Sequence, residues 1–244
     1  MIEAIGRLTY LSFEINNECP LESVHPQCPR NIKDRYALSP SGDSITVDDI
    51  VGFYLYCSVH HGFRGRINLH NYNEPLATPG RIIEIMQRLP GANFSMWTNG
   101  VLLEETPECI WIIEHCAEVM VTKYPQTNIR ALNSLGAKFN QIKTQPGILD
   151  NRADEKVTPR YQPHLSCGRP NFDFLIDYYG NGHMCCGDWR GEIILGNIKI
   201  DNYGDILLRW EESRAMLMRP MTEEVYRELP KVCKMCLVRM SIFT

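Results

Sequence analysis

The sequence predicts an α/β protein: repeated β-α units around a parallel sheet, followed by a small C-terminal α+β module. Two observations predict the first part. Strand-like and helix-like segments alternate from residue 8 to residue 142, and their connections are short. That rhythm then breaks in QPGILDNRADEKVTPRYQPHLS, a polar stretch with three prolines that reads as a crossing segment. The third observation is a spaced set of cysteines in the final third: Cys167, Cys185, Cys233 and Cys236. The expected division is therefore 1–150 and 151–244.

The elements follow in order. Residues 8–15 read as a first strand, with Tyr10, Phe13 and Ile15 alternating imperfectly with polar neighbours. The loop NNECPLESVHPQCPRN has too many prolines and asparagines for a helix. Thr46 can cap a helix to about His60, with Asp48 and Asp49 in its first turn. RINLHNYNEP is a second strand ending near Asn73. Thr78-Pro79 then opens a helix whose face is Ile82, Ile85, Met86 and Leu89. Asn93 to Trp97 is a strand, Thr106-Pro107 opens a helix, and Ala117 to Thr122 is a strand. Thr127 is expected to cap the next helix and Ala137 to Ile142 to form the next strand. Five such strands are fewer than the eight of a closed barrel, so a partial, open barrel and a doubly wound sheet both fit. Beyond the crossing segment, 171–179 and 193–200 read as strands, and 206–218 and 222–229 as helices.

Composition narrows the class. A net charge of -4, with no Lys/Arg run longer than two residues, argues against a nucleic-acid partner. No apolar stretch is long enough to span a bilayer, and Glu3 and Arg7 interrupt any export segment. Ten cysteines in such a chain point to metal or redox chemistry in the cytoplasm rather than to disulfides.

In a parallel sheet of either kind, the site lies beyond the C-terminal strand ends. Those ends carry Cys19 with Cys28, then Asn73-Glu74-Pro75, then Thr98-Asn99-Gly100, then Lys123-Tyr124. The C-terminal cysteines suit a tetrahedral zinc or an iron–sulfur cluster. Only one pair, Cys233–Cys236, has the tight spacing that zinc sites usually show twice. Cys57, Cys109 and Cys116 have apolar neighbours and read as buried packing residues.

In order and spacing these motifs resemble the radical S-adenosylmethionine (SAM) superfamily, specifically members with a C-terminal SPASM or shortened twitch auxiliary-cluster domain. Among these the chain is similar to the 2-deoxy-scyllo-inosamine dehydrogenases of aminoglycoside biosynthesis. The resemblance implies a partial (β/α) barrel over 1–150 and an auxiliary-cluster domain over 151–244. It implies two [4Fe–4S] clusters and bound SAM as cofactors. A GGEP-like turn, here Asn71-Tyr72-Asn73-Glu74-Pro75-Leu76, would hold the methionine amino group, and Thr98 and Asn99 belong to a further recurrent turn. Cys167, Gly180, Cys185, Cys233 and Cys236 match the auxiliary pattern, as do Asp188-Trp189 and Leu195 to Ile198.

One departure stands out. The family's first loop supplies three cysteines, whereas this loop has Cys19 and Cys28, with His25 where the missing thiol would be. Imidazole replaces thiolate on iron in Rieske centres, so His25 is the expected third ligand; the alternatives are a remote residue such as Cys57, or a site that holds iron weakly or not at all. Arg152 resembles an arginine placed beside substrate in the dehydrogenases. The implied activity is two-electron oxidation of a small hydroxylated natural-product intermediate, with a flavodoxin or ferredoxin as electron donor. Epimerisation, modification of a precursor peptide, or a non-catalytic iron–sulfur or zinc protein are the other readings.

Overall fold

The computed structural model describes residues 2–26, 28–31, 43–147, 167–189, 191–193, 195–234 and 236. A one-turn helix α1 (Glu3–Gly6) leads into β1 (Tyr10–Phe13). The units α2 (Val47–His61), β2 (Arg66–Asn68), α3 (Pro79–Arg88), β3 (Asn93–Thr98), α4 (Pro107–His115), β4 (Cys116–Lys123), α5 (Ile129–Lys138) and β5 (Ile142–Pro146) follow. Strands β6 (Asp173–Ile176) and β7 (Gly182–His183) come next, then α6 (Tyr203–Leu217) and α7 (Glu223–Glu228).

Among the described residues one sheet runs in the order β5-β4-β3-β2-β1-β6-β7. Every pair is parallel except β6–β7. The sheet is open and its helices cover one face, which makes it a partial barrel. The strand β6 comes from the far side of the crossing segment and adds a sixth parallel strand beside β1.

Alternation along the strands builds two unlike faces. Leu11 and Phe13, Ile67, Phe94 and Met96, Val119 and Val121, and Phe174 and Ile176 are buried under the helices. Phe53 of α2 is the centre of this layer: it stacks on Phe174 at 5.6 Å and meets Phe13 and Tyr203 edge-on. Trp210 of α6, wholly buried, meets Phe174 from the other side, so α6 shares the barrel's core. The opposite, interior face is polar. Register places Ser12 beside Asn68, and Asn68 beside Ser95.

The helix starts largely follow the expected caps. Thr46 and Asp49 form a reciprocal capping box. Thr106 accepts from the Cys109 amide. Three expectations are corrected. Asn128, not Thr127, caps α5, accepting from the Ala131 amide at 3.2 Å. The Thr127 hydroxyl is already used, accepting from the Tyr124 amide and donating to the Asn99 carbonyl. Residues 137–138 continue α5, and the strand starts only at Ile142 and runs to Pro146. Proline is tolerated there because β5 is an edge. Finally, 193–200 is no strand. Its described residues form turns around Asn197, whose side chain holds Tyr179 and Asn181, and one bridge joins Asn181 to Asn197.

Candidate functional site

Three strand ends meet at one residue, Glu74. Glu74 lies in the turn after β2, is 1% exposed, and caps the short helical turn Pro75–Ala77 by accepting from the Leu76 amide at 3.0 Å. Its other contacts come from the end of β3: the Thr98 hydroxyl donates at 2.7 Å and the Asn99 amide at 2.9 Å. Burial pushes the Glu74 carboxyl up to about 7, although these three hydrogen bonds favour the ionised form. Such a rise costs the charged form roughly 3 kcal/mol, which a bound cation would offset.

The Cys19 loop is docked on this turn. The Glu74 amide donates to the Glu18 carbonyl at 2.6 Å. Asn16 donates to the Glu74 carbonyl and to the Thr78 hydroxyl. Thr78 therefore serves the loop rather than capping α3 with its side chain. Asn99 Nδ2 approaches Cys19 Sγ at 3.8 Å. The loop folds on itself around Arg30, which donates to Asn17 and Glu22. The Cys28 amide and the Asn31 side chain both donate to the His25 carbonyl. Cys19, His25 and Cys28 thus share one compact loop beside Glu74. Burial raises the Cys19 thiol above its ordinary range, and the nearby Glu74 adds to that. Cys57 lies elsewhere: it is fully buried near the C-terminus of α2, which delivers the chain to the opposite end of the sheet. Cys109 and Cys116 are packing residues as expected. Arg152 lies outside the described residues.

Several polar groups on the interior face escaped sequence reasoning. Asn68 Oδ1, Asn71 Nδ2, Asn73 Nδ2 and Ser95 Oγ are buried with no hydrogen-bond partner among the described residues. Buried polar atoms are nearly always satisfied, so such a cluster along β2, its turn and β3 marks space for a polar ligand. Asn73 itself accepts from the Asn71 amide at 2.9 Å, shaping the turn. Nearby, the Ser12 hydroxyl donates to Asp173 at 2.6 Å. The signal in the sequence was a single polar residue, Ser12, Asn68 or Ser95, set between apolar neighbours that read as core.

Asp173 offers a pH test. Burial raises its carboxyl to about 6. A raised acid contributes stability fully below about pH 4, and that contribution is lost as pH rises through about 6. Asp173→Asn is expected to flatten the fall in denaturant stability between about pH 4 and 7 by up to roughly 3 kcal/mol. An unchanged pH slope in the variant would contradict this.

The second group of residues lies around the β6–β7 hairpin. Gly180, at φ +90°, makes the hairpin turn that a side chain would strain. His183 on β7 is buried between the Asp177 carboxylate at 2.9 Å and the Asp188 carbonyl at 2.8 Å. Asp188 accepts from the Glu192 and Ile193 amides and so closes the loop that follows Cys185. At Gly187 a Cβ would sit 3.4 Å from Cys185 Sγ and 3.9 Å from Cys236 Sγ, so glycine leaves room between the two sulfurs. Cys167 is anchored by its amide to the Leu217 carbonyl. Burial raises the thiols of Cys167, Cys185 and Cys233. Mutual repulsion among them and Cys236 raises them further. Such thiolates need positive charge from iron or another metal. Among the described residues no three Cys, His, Asp or Glu side chains converge on a single metal ion. A cubane cluster, being larger than one ion, holds its thiolates further apart. Cys186 turns its thiol to Arg169, at 3.4 Å.

A family model described as an iron–sulfur cluster-binding domain, SPASM, matches residues 167–237. Residues 167–237 are thus similar to a SPASM domain, and the chain as a whole takes a fold seen in solved structures. Two solved structures of BtrN share that fold. The complex with AdoMet and 2-DOIA has a TM-score of 0.69 and 21% identity, covering 93% of this chain and 92% of that one. An open conformation has a TM-score of 0.63 and 20% identity, covering 93% and 91%. Streptococcus suis SuiB bound to S-adenosylmethionine is a more distant likeness, with a TM-score of 0.47 and 11% identity over 94% of this chain and 72% of that one. No curated protein matches the sequence. The SPASM match spans the four cysteines whose thiols repel one another, and the described arrangement fits a cluster there. Among the described residues no helix is long and apolar enough to cross a membrane.

Proposed function

We propose that the protein is a radical SAM oxidoreductase that oxidises a small hydroxylated molecule bound in the barrel interior. The observation that carries this is Glu74: a buried carboxylate at a strand end whose charged form burial disfavours, in a residue whose backbone amide donates to the Glu18 carbonyl next to Cys19. It suits the ammonium group of SAM through a charge-assisted contact. Cys19, His25 and Cys28 would hold the first [4Fe–4S] cluster, and Cys167, Cys185, Cys233 and Cys236 the second. When bound, these cofactors supply a 5′-deoxyadenosyl radical that abstracts a substrate hydrogen and an acceptor for the electron then released.

The chain's own residues do the rest. Thr98 and the Asn99 amide fix the carboxylate of Glu74 in one orientation. Asn73, Asn68 and Ser95 present unsatisfied polar atoms to the interior. Arg152 would lie beside substrate, where its fixed fork of donors could orient hydroxyl groups. BtrN, crystallised with AdoMet and 2-DOIA, supports a hydroxylated substrate through fold likeness alone. A full set of four thiols favours oxidation over epimerisation, since a cluster without an open iron can only accept or relay electrons. A flavodoxin or ferredoxin is the expected reductant, and 1–150 and 151–244 the working division of roles.

Protein reconstituted without oxygen is expected to hold about eight irons and about eight labile sulfides per chain. His25→Ala should lose about four of those irons and retain the SPASM-bound four. One zinc per chain with negligible iron would overturn the reading. Full retention of iron by the His25 variant would remove His25 from the ligand set.

A further inference from the structure

A side chain of the cofactor turn reaches into the SPASM domain. Tyr72 lies two residues before Glu74. Its ring packs in a small apolar group with Trp189 and Val232, beside Cys233. Its hydroxyl donates to the Cys186 carbonyl. That carbonyl and the Gly187 amide belong to one peptide unit, and the Gly187 amide donates to Cys185 Sγ at 3.3 Å. The result is a continuous chain: phenol O–H to carbonyl oxygen, across the peptide, then N–H to sulfur. Hydrogen bonds polarise one another along such a chain, so the phenol strengthens the bond to the sulfur. Arg169 steadies the same residue from the other side through the Cys186 thiol.

We propose that Tyr72 is a positioning residue that sets the reduction potential of the SPASM cluster through the Cys186–Gly187 peptide. The inference rests on the reading of Cys185 as a cluster ligand. Hydrogen bonds to cluster sulfurs favour the reduced, more negative state and so raise the potential. Tyr72 also belongs to the turn that carries Glu74, so its position ties the SAM-binding end of the barrel to the electron acceptor.

The test is a redox titration of the anaerobic holoprotein, followed by electron paramagnetic resonance of the SPASM cluster. Tyr72→Phe keeps the ring in its apolar group and removes only the donor. It is expected to retain its iron and to lower the one-electron reduction equilibrium roughly three- to tenfold, tenfold being about 59 mV. Replacing Tyr72 with difluorotyrosine, a stronger donor, should move the potential the other way. It decides the matter alone if the phenylalanine variant fails to hold its cluster. A purely structural tyrosine would change stability and leave the potential in place; equal potentials in all three proteins overturn the proposal. The measurement needs neither SAM nor substrate, so a protein that failed to cleave SAM would still report on Tyr72.

Discussion

Glu74→Gln is expected to lower 5′-deoxyadenosine formation from SAM by about a hundredfold or more. Losing a buried charge-assisted contact to an ammonium costs about 2–4 kcal/mol, or roughly 30- to 1,000-fold. The geometry places the effect at the upper end, because Glu74 is fully enclosed and three donors already fix its oxygens. The fold should survive. The amide oxygen can keep some of those donors, and the substitution removes the cost of a buried charge that holds the carboxyl at about 7. The check is product measured beside iron content: activity falls while about eight irons remain. Activity within threefold of the parent, with iron intact, would remove Glu74 from the cofactor site.

Cys233→Ala should have the largest structural effect. Cys233 has Cys167, Cys236 and the Asp188 and Glu192 carboxylates as its charged neighbours. Removing it leaves three thiols, so about four of the eight irons should be lost and the first cluster kept. Metal affinity is also folding free energy in small cluster-bound modules, so this region should open to proteolysis in the variant. The barrel should stay folded, since its core is filled by Phe53, Phe174 and Trp210 rather than by the cluster. Loss of all iron would mean that the two centres do not form independently.

Much of the architecture was legible where a local rule was not contested. The Thr46 cap and the Thr106-Pro107 start needed only nearby backbone, and both formed as read. Thr127 and Thr78 failed as side-chain caps because other partners claimed their hydroxyls: the distant Asn99 and the nearby Tyr124 for one, the distant Asn16 for the other. The strand β5 was misplaced because an edge strand keeps polar Lys143, Thr144 and Gln145 exposed or half-exposed and shows no core pattern.

The site divides the same way. Cys19, Glu74, Thr98 and Asn99 lay at expected strand ends, and the structure brings them together. The interior groups Ser12, Asn68, Ser95 and Asp173 were hidden, because their roles depend on which strands are neighbours. Tyr72 was hidden for a stronger reason. Its partner, Cys186, lies 114 residues away, and no spacing rule connects a turn tyrosine with a carbonyl in another module.

The most direct test of the account is SAM cleavage by the parent protein. Iron–sulfide-replete protein, reduced without oxygen and given SAM, is expected to release 5′-deoxyadenosine and methionine in equal amounts, slowly when no substrate is present. Protein that holds about eight irons yet forms no 5′-deoxyadenosine, even with hydroxylated candidate substrates supplied, would contradict it.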